Sequence, residues 1–227
     1  MRIILISSDP VAAKAIERSL LCLDMDVFSA ETGEEGIDLA RHYDHDGIVL
    51  DMRLSDMNGI DAIRKLRLAR VQSPIMTIGE SANISVKVQA LECGADDFMT
   101  KPFDISEFVA RLRALVRRSR GYAQSSITNG PITINLSSKR VSVNGSAIHL
   151  SQKEYKLLEL LTLRRGMTLN KEAIIAHLYH NGEGPASRTV DLFVCRLRKK
   201  LAAATGGDNC IETVNQQGYH LRRHCAA

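Results

Sequence analysis

No apolar run in this 227-residue sequence approaches the length of a membrane span. The N-terminus also lacks the cleavage region of a signal peptide, and MRIILIS reads instead as a first strand. Membrane insertion and export are therefore not expected, and the cytoplasm is. Cysteine is scarce. The five residues (Cys22, Cys93, Cys195, Cys210, Cys225) are odd in number and form no C-x-x-C pair. That argues against a disulfide framework and a zinc site, and fits a reducing compartment. The seven histidines (42, 45, 149, 177, 180, 220, 224) form no cluster with metal-ligand spacing. His177 and His180 lie at i, i+3, but only Glu183 follows as a further ligand candidate, so surface or capping roles fit better. No metal or cofactor is expected on these grounds.

Acids are scarce in one half only. Residues 1–120 carry 16 Lys/Arg and 19 Asp/Glu, a net charge of −3, whereas residues 121–227 carry 14 and 7, a net charge of +7. An acidic front and a basic back imply that only the back meets nucleic acid.

Residues 188–201, RTVDLFVCRLRKKL, concentrate that charge. Val190, Val194, Leu197 and Leu201 form one helical stripe suited to a core. Arg188, Leu192, Arg196 and Lys199 form another, flanked by Arg198 and Lys200. Ser187 can cap the helix, and Asp191 suits its positive end. No acid follows Asp191 on the outer face, so a phosphate backbone is the better partner. Residues 211–221 then read as two short strands around a polar tip, with Gly218 permitting the return. A basic helix followed by a small hairpin is the layout of a winged helix-turn-helix, in which the helix enters the major groove.

The first 120 residues alternate strand and helix five times. Strands read at 3–7, 26–30, 47–51, 74–78 and 96–100, and helices near 10–22, 32–42, 58–69, 83–93 and 104–119. This predicts an α/β fold with a parallel sheet covered on both faces. In such sheets function sits at the carboxyl ends of the strands, which here present Ser7, Ser8, Asp51, Gly79 and Lys101. Asp51 ends the apolar run GIVLD, where an unpaired carboxylate is costly, and Lys101 is placed to pair with it. A structural ion pair and a phosphoryl-accepting Asp with a sensing Lys both fit this spacing.

Asp51 with Gly59 eight residues on, and GADDFMTKPF at 94–103, resemble a response-regulator receiver of strand order 2-1-3-4-5. The back resembles the OmpR/PhoB-type winged helix. GEEGIDLA, VRRS, KEYKLLELL and RLRKKL, in order, make the chain similar to the CtrA group of cell-cycle regulators of alphaproteobacteria. The resemblance implies a receiver at 1–118, a polar linker at 119–129 and a DNA-binding domain at 130–224. It also implies a transcription regulator, not an enzyme.

Departures from the family pattern stand beside the match. Two acids that hold Mg²⁺ in such receivers are Ser7 and Ser8 here, with Asp9 one place late. Mg²⁺ prefers carboxylates and water, and serine supplies no charge. The hydroxyl residue ending strand four is Gly79, and the proline four residues after the acceptor is Ser55. Asp51 and Lys101 remain, so a phosphorelay role with a histidine kinase stays open. So does a role as a non-activating partner that titrates a relative.

The resemblance further implies a homodimer through Lys87 with Glu107, Asp97 with Arg111, and Asp96 with Arg118. It implies polymerase contacts through a loop at 179–186. For double-stranded promoter DNA, Arg188, Leu192, Phe193 and Arg196 are the candidates for base edges, and Thr189, Arg198 and Lys199 for phosphates. In the wing, Gln216 and Gln217 stand where relatives have a glycine and a cation, which predicts weaker minor-groove readout.

Overall fold

The computed structural model describes residues 1–23, 25–80, 84–136, 138–179, 188–215 and 217–222, with Arg188 described for its backbone alone. Two compact units divide the chain, Met1–Gly121 and Tyr122–Ala227.

The first unit contains β1 (Arg2–Ile6), α1 (Pro10–Leu21), β2 (Asp26–Ala30), α2 (Gly33–His42), β3 (Gly47–Asp51), α3 (Gly59–Leu68), β4 (Ile75–Gly79), α4 (Ile84–Glu92), β5 (Asp97–Thr100) and α5 (Ile105–Ser119). Its five-stranded sheet has the order β2-β1-β3-β4-β5, and every pairing is parallel. Side chains alternate across a strand, so each face receives every second residue. Ile3 and Leu5 join Ile16, Leu20, Phe108 and Leu112 beneath α1 and α5. Ile4 and Ile6 join Ile37, Ile60, Ile63 and Leu66 beneath α2 and α3. The inner strands β1, β3 and β4 are buried on both faces, which is why they read as continuous apolar runs. The strand ends carrying Ser7, Asp51, Gly79 and Lys101 then share one edge of the sheet.

The second unit contains β6 (Ser126–Asn129), β7 (Ile132–Asn135), β8 (Arg140–Val143), β9 (Ser146–Ile148), α6 (Gln152–Leu163), α7 (Lys171–Leu178), α8 (Arg188–Thr205), β10 (Ile211–Val214) and β11 (Gly218–Leu221). The first four strands form an antiparallel sheet in sequence order, and β10 and β11 form a hairpin. Ser151 caps α6, and its capping box with Glu154 is complete. Val190, Val194, Leu197 and Leu201 of α8 are all buried in the single core of this unit. Each contributes about 2 kcal/mol relative to an exposed position. The opposite stripe of α8 is thereby turned outward.

The stretch 119–129 differs from a polar linker. Helix α5 runs through Ser119, and β6 pairs with β7 over 126–129. Tyr122 donates its hydroxyl to the carbonyl of Thr162 at 3.0 Å. Only Ile127 and Asn129 of β6 are buried, and Asn129 donates through Nδ2 to the carbonyl of Arg222 at 2.8 Å. A polar edge strand held by such bonds has the composition of a loop.

Candidate functional site: an acceptor cleft and a nucleic-acid interface

Asp51 ends β3 and is 3% exposed. Its Oδ2 accepts from Lys101 Nζ at 2.6 Å and from Ser7 Oγ at 3.3 Å, and its Oδ1 accepts from the Arg53 amide at 3.2 Å. The ion pair expected from the strand ends is thus formed, and the carboxylate is already neutralised. A cleft of about 290 Å³ opens over it, lined by Ser8, Asp9, Asp51, Arg53, Ser55, Glu80 and Lys101 among others. Arg53 and Glu80 form an exposed ion pair of 2.5 Å among these lining residues.

The residues that replace the expected acids have other partners. Ser8 Oγ donates to the carbonyl of Glu31 at 2.6 Å and accepts from the amide of Ser55 at 2.9 Å. Asp9 caps α1, its Oδ1 accepting from the amides of Val11 and Ala12 at 3.0 and 3.1 Å. Its pKa is lowered, chiefly by the bond from Ala12 and also by that from Val11, against the cost of burial. Lys101 adds a smaller lowering. The magnesium ion implied by the fold does not fit this donor set. Asp51 is shared with a lysine beside two hydroxyls, Asp9 is spent on the α1 amides and Glu80 on Arg53, whereas a small hard cation requires charged oxygens in a near-octahedral array. Among the described residues, no three His, Cys, Asp or Glu side chains group to hold a metal.

Gly79 closes the same end of β4. A Cβ there would lie 3.1 Å from Met52 Cγ and 3.2 Å from Phe98 Cζ. A serine or threonine there would require those two side chains to give by a few tenths of an ångström. Thr77, two residues upstream, donates to the carbonyl of Asp97 at 2.9 Å and does not reach the cleft. Phe98 lies beneath Lys87, whose Nζ is 5.7 Å from the ring centroid. The end of β4 and one expected dimer residue are therefore linked through an aromatic ring that sequence reasoning did not single out.

The six charges expected at a dimer face are engaged within the chain to different degrees. Arg111 pairs with Asp97 at 3.2 Å and with Glu107 at 2.7 Å. These two partners raise its pKa, Glu107 first. Asp96 accepts from Arg67 at 2.9 Å and from the Ile75 amide at 2.8 Å. Arg118 donates to the carbonyl of Ala114 at 3.3 Å. On the neighbouring α4, Ile84, Val88 and Leu91 are exposed at i, i+4 and i+7.

In the second unit, the outward stripe of α8 contains Leu192, Cys195, Arg196 and Lys199. Leu192 is 58% exposed, an apolar side chain with no core to enter. Cys195 was not among the expected contacts, although its i+3 spacing from Leu192 places it there. Thr189 is half-buried, and Gln217 is exposed at the hairpin tip. The side chain of Arg188, the cap residue Ser187, the loop 180–187 and Gln216 lie outside the described residues.

Two expected DNA contacts have partners within the chain. Phe193 is half-buried and packs against the core, with Lys153 Nζ 5.9 Å from its ring. Arg198 donates Nε to the carbonyl of Ile211 at 2.9 Å and Nη2 to Thr213 Oγ1 at 2.8 Å. Its guanidinium lies 5.6 Å from the Tyr219 ring. Arg198 clamps the hairpin instead of a phosphate. Lys200 also turns inward, meeting the buried Glu154 at 2.6 Å and the carbonyl of His149 at 3.2 Å.

Tyr219 anchors the hairpin in the core, and its hydroxyl donates to Asp191 Oδ1 at 2.5 Å. Burial, then this bond and the charge of Asp191, push the phenol up to about 12. Asp191 also accepts from Lys171 Nζ at 2.8 Å. That bond, followed by the one from Tyr219, holds the Asp191 carboxyl below its ordinary value. Gly218 is required at its place. A Cβ there would stand 1.9 Å from the carbonyl oxygen of Leu169, which itself pairs with the Tyr219 amide at 2.9 Å.

Comparison with known proteins agrees with this division. Residues 3–113 match the response regulator receiver domain family, and residues 145–221 match the family of transcriptional regulatory protein C-terminal domains. The cell cycle transcriptional regulator CtrA of Caulobacter vibrioides is 49% identical over 222 residues, covering 98% of this chain and 96% of that protein. The cell cycle response regulator CtrA of Brucella abortus is 48% identical over the same shares. Among solved structures, the receiver domain of a Francisella response regulator aligns with a TM-score of 0.50 at 26% identity, covering 52% of this chain and 98% of that one. No helix among the described residues is long and apolar enough to cross a membrane. The chain belongs to the CtrA group of OmpR/PhoB-type response regulators, and is a transcriptional regulator with a receiver and a DNA-binding domain, not an enzyme.

Proposed function

We propose that this protein regulates transcription from double-stranded promoter DNA as a cytoplasmic, receiver-mediated homodimer, independently of ordinary phosphorylation at Asp51. The acceptor cleft carries the phosphorylation half of this reading. Asp51 is bonded by Lys101, Ser7 and the Arg53 amide, the cleft's other carboxylates are engaged with the α1 amides (Asp9) and with Arg53 (Glu80), and Met52 and Phe98 crowd the space beside Gly79. A phosphoryl group added there would meet neither a metal nor a strand-four hydroxyl to offset its charge. The outward Leu192–Arg196–Lys199 stripe supports DNA binding, with leucine suited to thymine methyls and the cations to guanine or phosphate. Polymerase contact, where it occurs in relatives, belongs to the loop outside the described residues.

The test is intact-mass analysis of the protein incubated with Mg²⁺ and acetyl phosphate, beside Asp51→Asn. No adduct is expected under conditions that modify an ordinary receiver. An adduct lost in the mutant overturns phosphorylation independence. That outcome would favour the second reading, a regulator phosphorylated by a histidine kinase or phosphotransfer protein, for which the intact Asp51–Lys101 pair is the supporting observation.

A further inference from the structure

Asp191 occupies an unusual place for an acid in a basic helix. It sits in the first turn of α8, and its carboxylate is bonded from two other elements. Oδ1 takes the Tyr219 hydroxyl from β11 at 2.5 Å. Lys171 Nζ, from the first residue of α7, lies 2.8 Å from both Oδ1 and Oδ2. Helix α7, helix α8 and the hairpin thus meet on one side chain. Arg198, two turns further along α8, holds β10 from the other side. Lys171 is more than a third exposed and borders a cleft of about 350 Å³ with Thr213, Asn215 and Gln217 of the hairpin.

Resting on the DNA-binding role proposed above, we propose that Asp191 is a positioning residue for DNA recognition: it fixes the hairpin to α8 through Tyr219 and withholds Lys171 from the DNA backbone. The first effect sets where Gln217 falls relative to the bases read by Leu192 and Arg196. The second removes one sequence-blind contact, because a lysine paired with a carboxylate releases no counterion from a phosphate. Together they raise discrimination between sequences without raising overall affinity. Specificity is a difference of affinities, and removing an indiscriminate contact serves it as well as adding a selective one.

Two variants separate this role from ordinary folding support. Tyr219→Phe keeps the buried ring and loses only the hydroxyl, leaving Lys171 paired. Asp191→Asn keeps an acceptor for the hydroxyl and leaves the lysine's charge without its carboxylate partner. Each full-length protein is titrated with the highest-affinity duplex that the wild type selects from a random pool, with a duplex altered at the pairs flanking the helix-contacted core, and with poly(dI-dC). Tyr219→Phe should lose about tenfold in discrimination at the flanking pairs, with an unchanged salt slope. Asp191→Asn should steepen the slope of log affinity against log salt by about one, and bind poly(dI-dC) as tightly as the wild type or tighter. Loss of affinity for all three duplexes in parallel, with no change in slope or discrimination, overturns the proposal in favour of simple destabilisation. Should the wild type select no duplex, the DNA-binding role itself fails. Amide exchange on the free protein then decides the hairpin coupling. Faster exchange over 211–215 and 217–221 in Tyr219→Phe, with α8 unchanged, supports it, and unaltered exchange overturns it.

Discussion

Glu154 shows how one residue can serve two levels of structure. Its side chain closes the capping box of α6 and also meets Lys200 of α8, 46 positions away. Burial pushes its pKa up, but the hydrogen bond from Lys200, those from Ser151 and the lysine charge outweigh it, and the result lies below the ordinary 4.5. A folded pKa below the unfolded one means stability that is present above about pH 4.5 and is lost as pH falls through the depressed folded value. Glu154→Gln should therefore destabilise the DNA-binding unit at neutral pH by about 1–2 kcal/mol, a modest figure because Lys200 is 41% exposed. It should also flatten the acid limb of the stability curve. Urea unfolding between pH 7 and pH 3 measures both, and an acid limb as steep as the wild type's would refute the assignment. The capping box was legible in S-Q-K-E because it is local. The partnership with Lys200 was not, because it depends on how two helices pack. The same limit explains Arg198 and Phe193. A helical wheel gives the side of the helix but not which neighbour a long side chain reaches, and the hairpin that takes Arg198 lies thirteen residues downstream.

At the scale of single elements, the regular pieces were readable and the irregular ones were not. The inner parallel strands announced themselves as apolar runs, and the buried stripe of α8 fell at the expected four positions. Strand β6 did not, since its polar residues are satisfied by bonds to distant groups, Asn129 with Arg222 among them. The end of β4 was legible in part. Gly79 was visible as a lost hydroxyl, but the packing that replaced it was not. Gly79→Thr should expose that packing. The added side chain must displace Met52 or Phe98, and overfilling a tight site typically costs about 1–3 kcal/mol. Because Ser7 and Ser8 stay uncharged, the substitution should not create a phosphorylatable site. Urea unfolding with intact-mass analysis checks both, and a stable, phosphorylated Gly79→Thr protein would show that the hydroxyl alone was missing. On α8, Leu192→Ala should leave stability within about 0.5 kcal/mol, because the side chain faces solvent. It should weaken binding to the selected duplex several-fold and do so mainly through T-containing positions. Equal weakening on every duplex would assign Leu192 to nonspecific packing.

For the whole molecule the deciding question is whether two chains associate without a switch. The charged positions near α4, β5 and α5 are compatible with that, but Arg111 already holds Asp97 and Glu107 within one chain. A cross-chain pair there must share or displace an existing bond, so it adds less than a fresh one. Lys87 with Glu107 tests the geometry most directly, because Lys87 lies over Phe98 and pairs with no carboxylate among the described residues. In an isologous contact each pair occurs twice, so reversing one charge breaks two pairs and creates two repulsions. At up to about 1 kcal/mol for each exposed pair, Glu107→Lys should weaken self-association about tenfold or more. Lys87→Glu should do the same. The double variant restores opposite signs across the two-fold axis and should recover most of the loss, less whatever Arg111 contributed through Glu107. Sedimentation of all four proteins at several concentrations, without a phosphodonor, measures this. Recovery in the double variant cannot come from improved folding of one chain, since Lys87 and Glu107 share no bond within it among the described contacts. Two weakened singles with no recovery would place the contact elsewhere on the receiver, and the exposed Ile84, Val88 and Leu91 of α4 would be the next surface to alter.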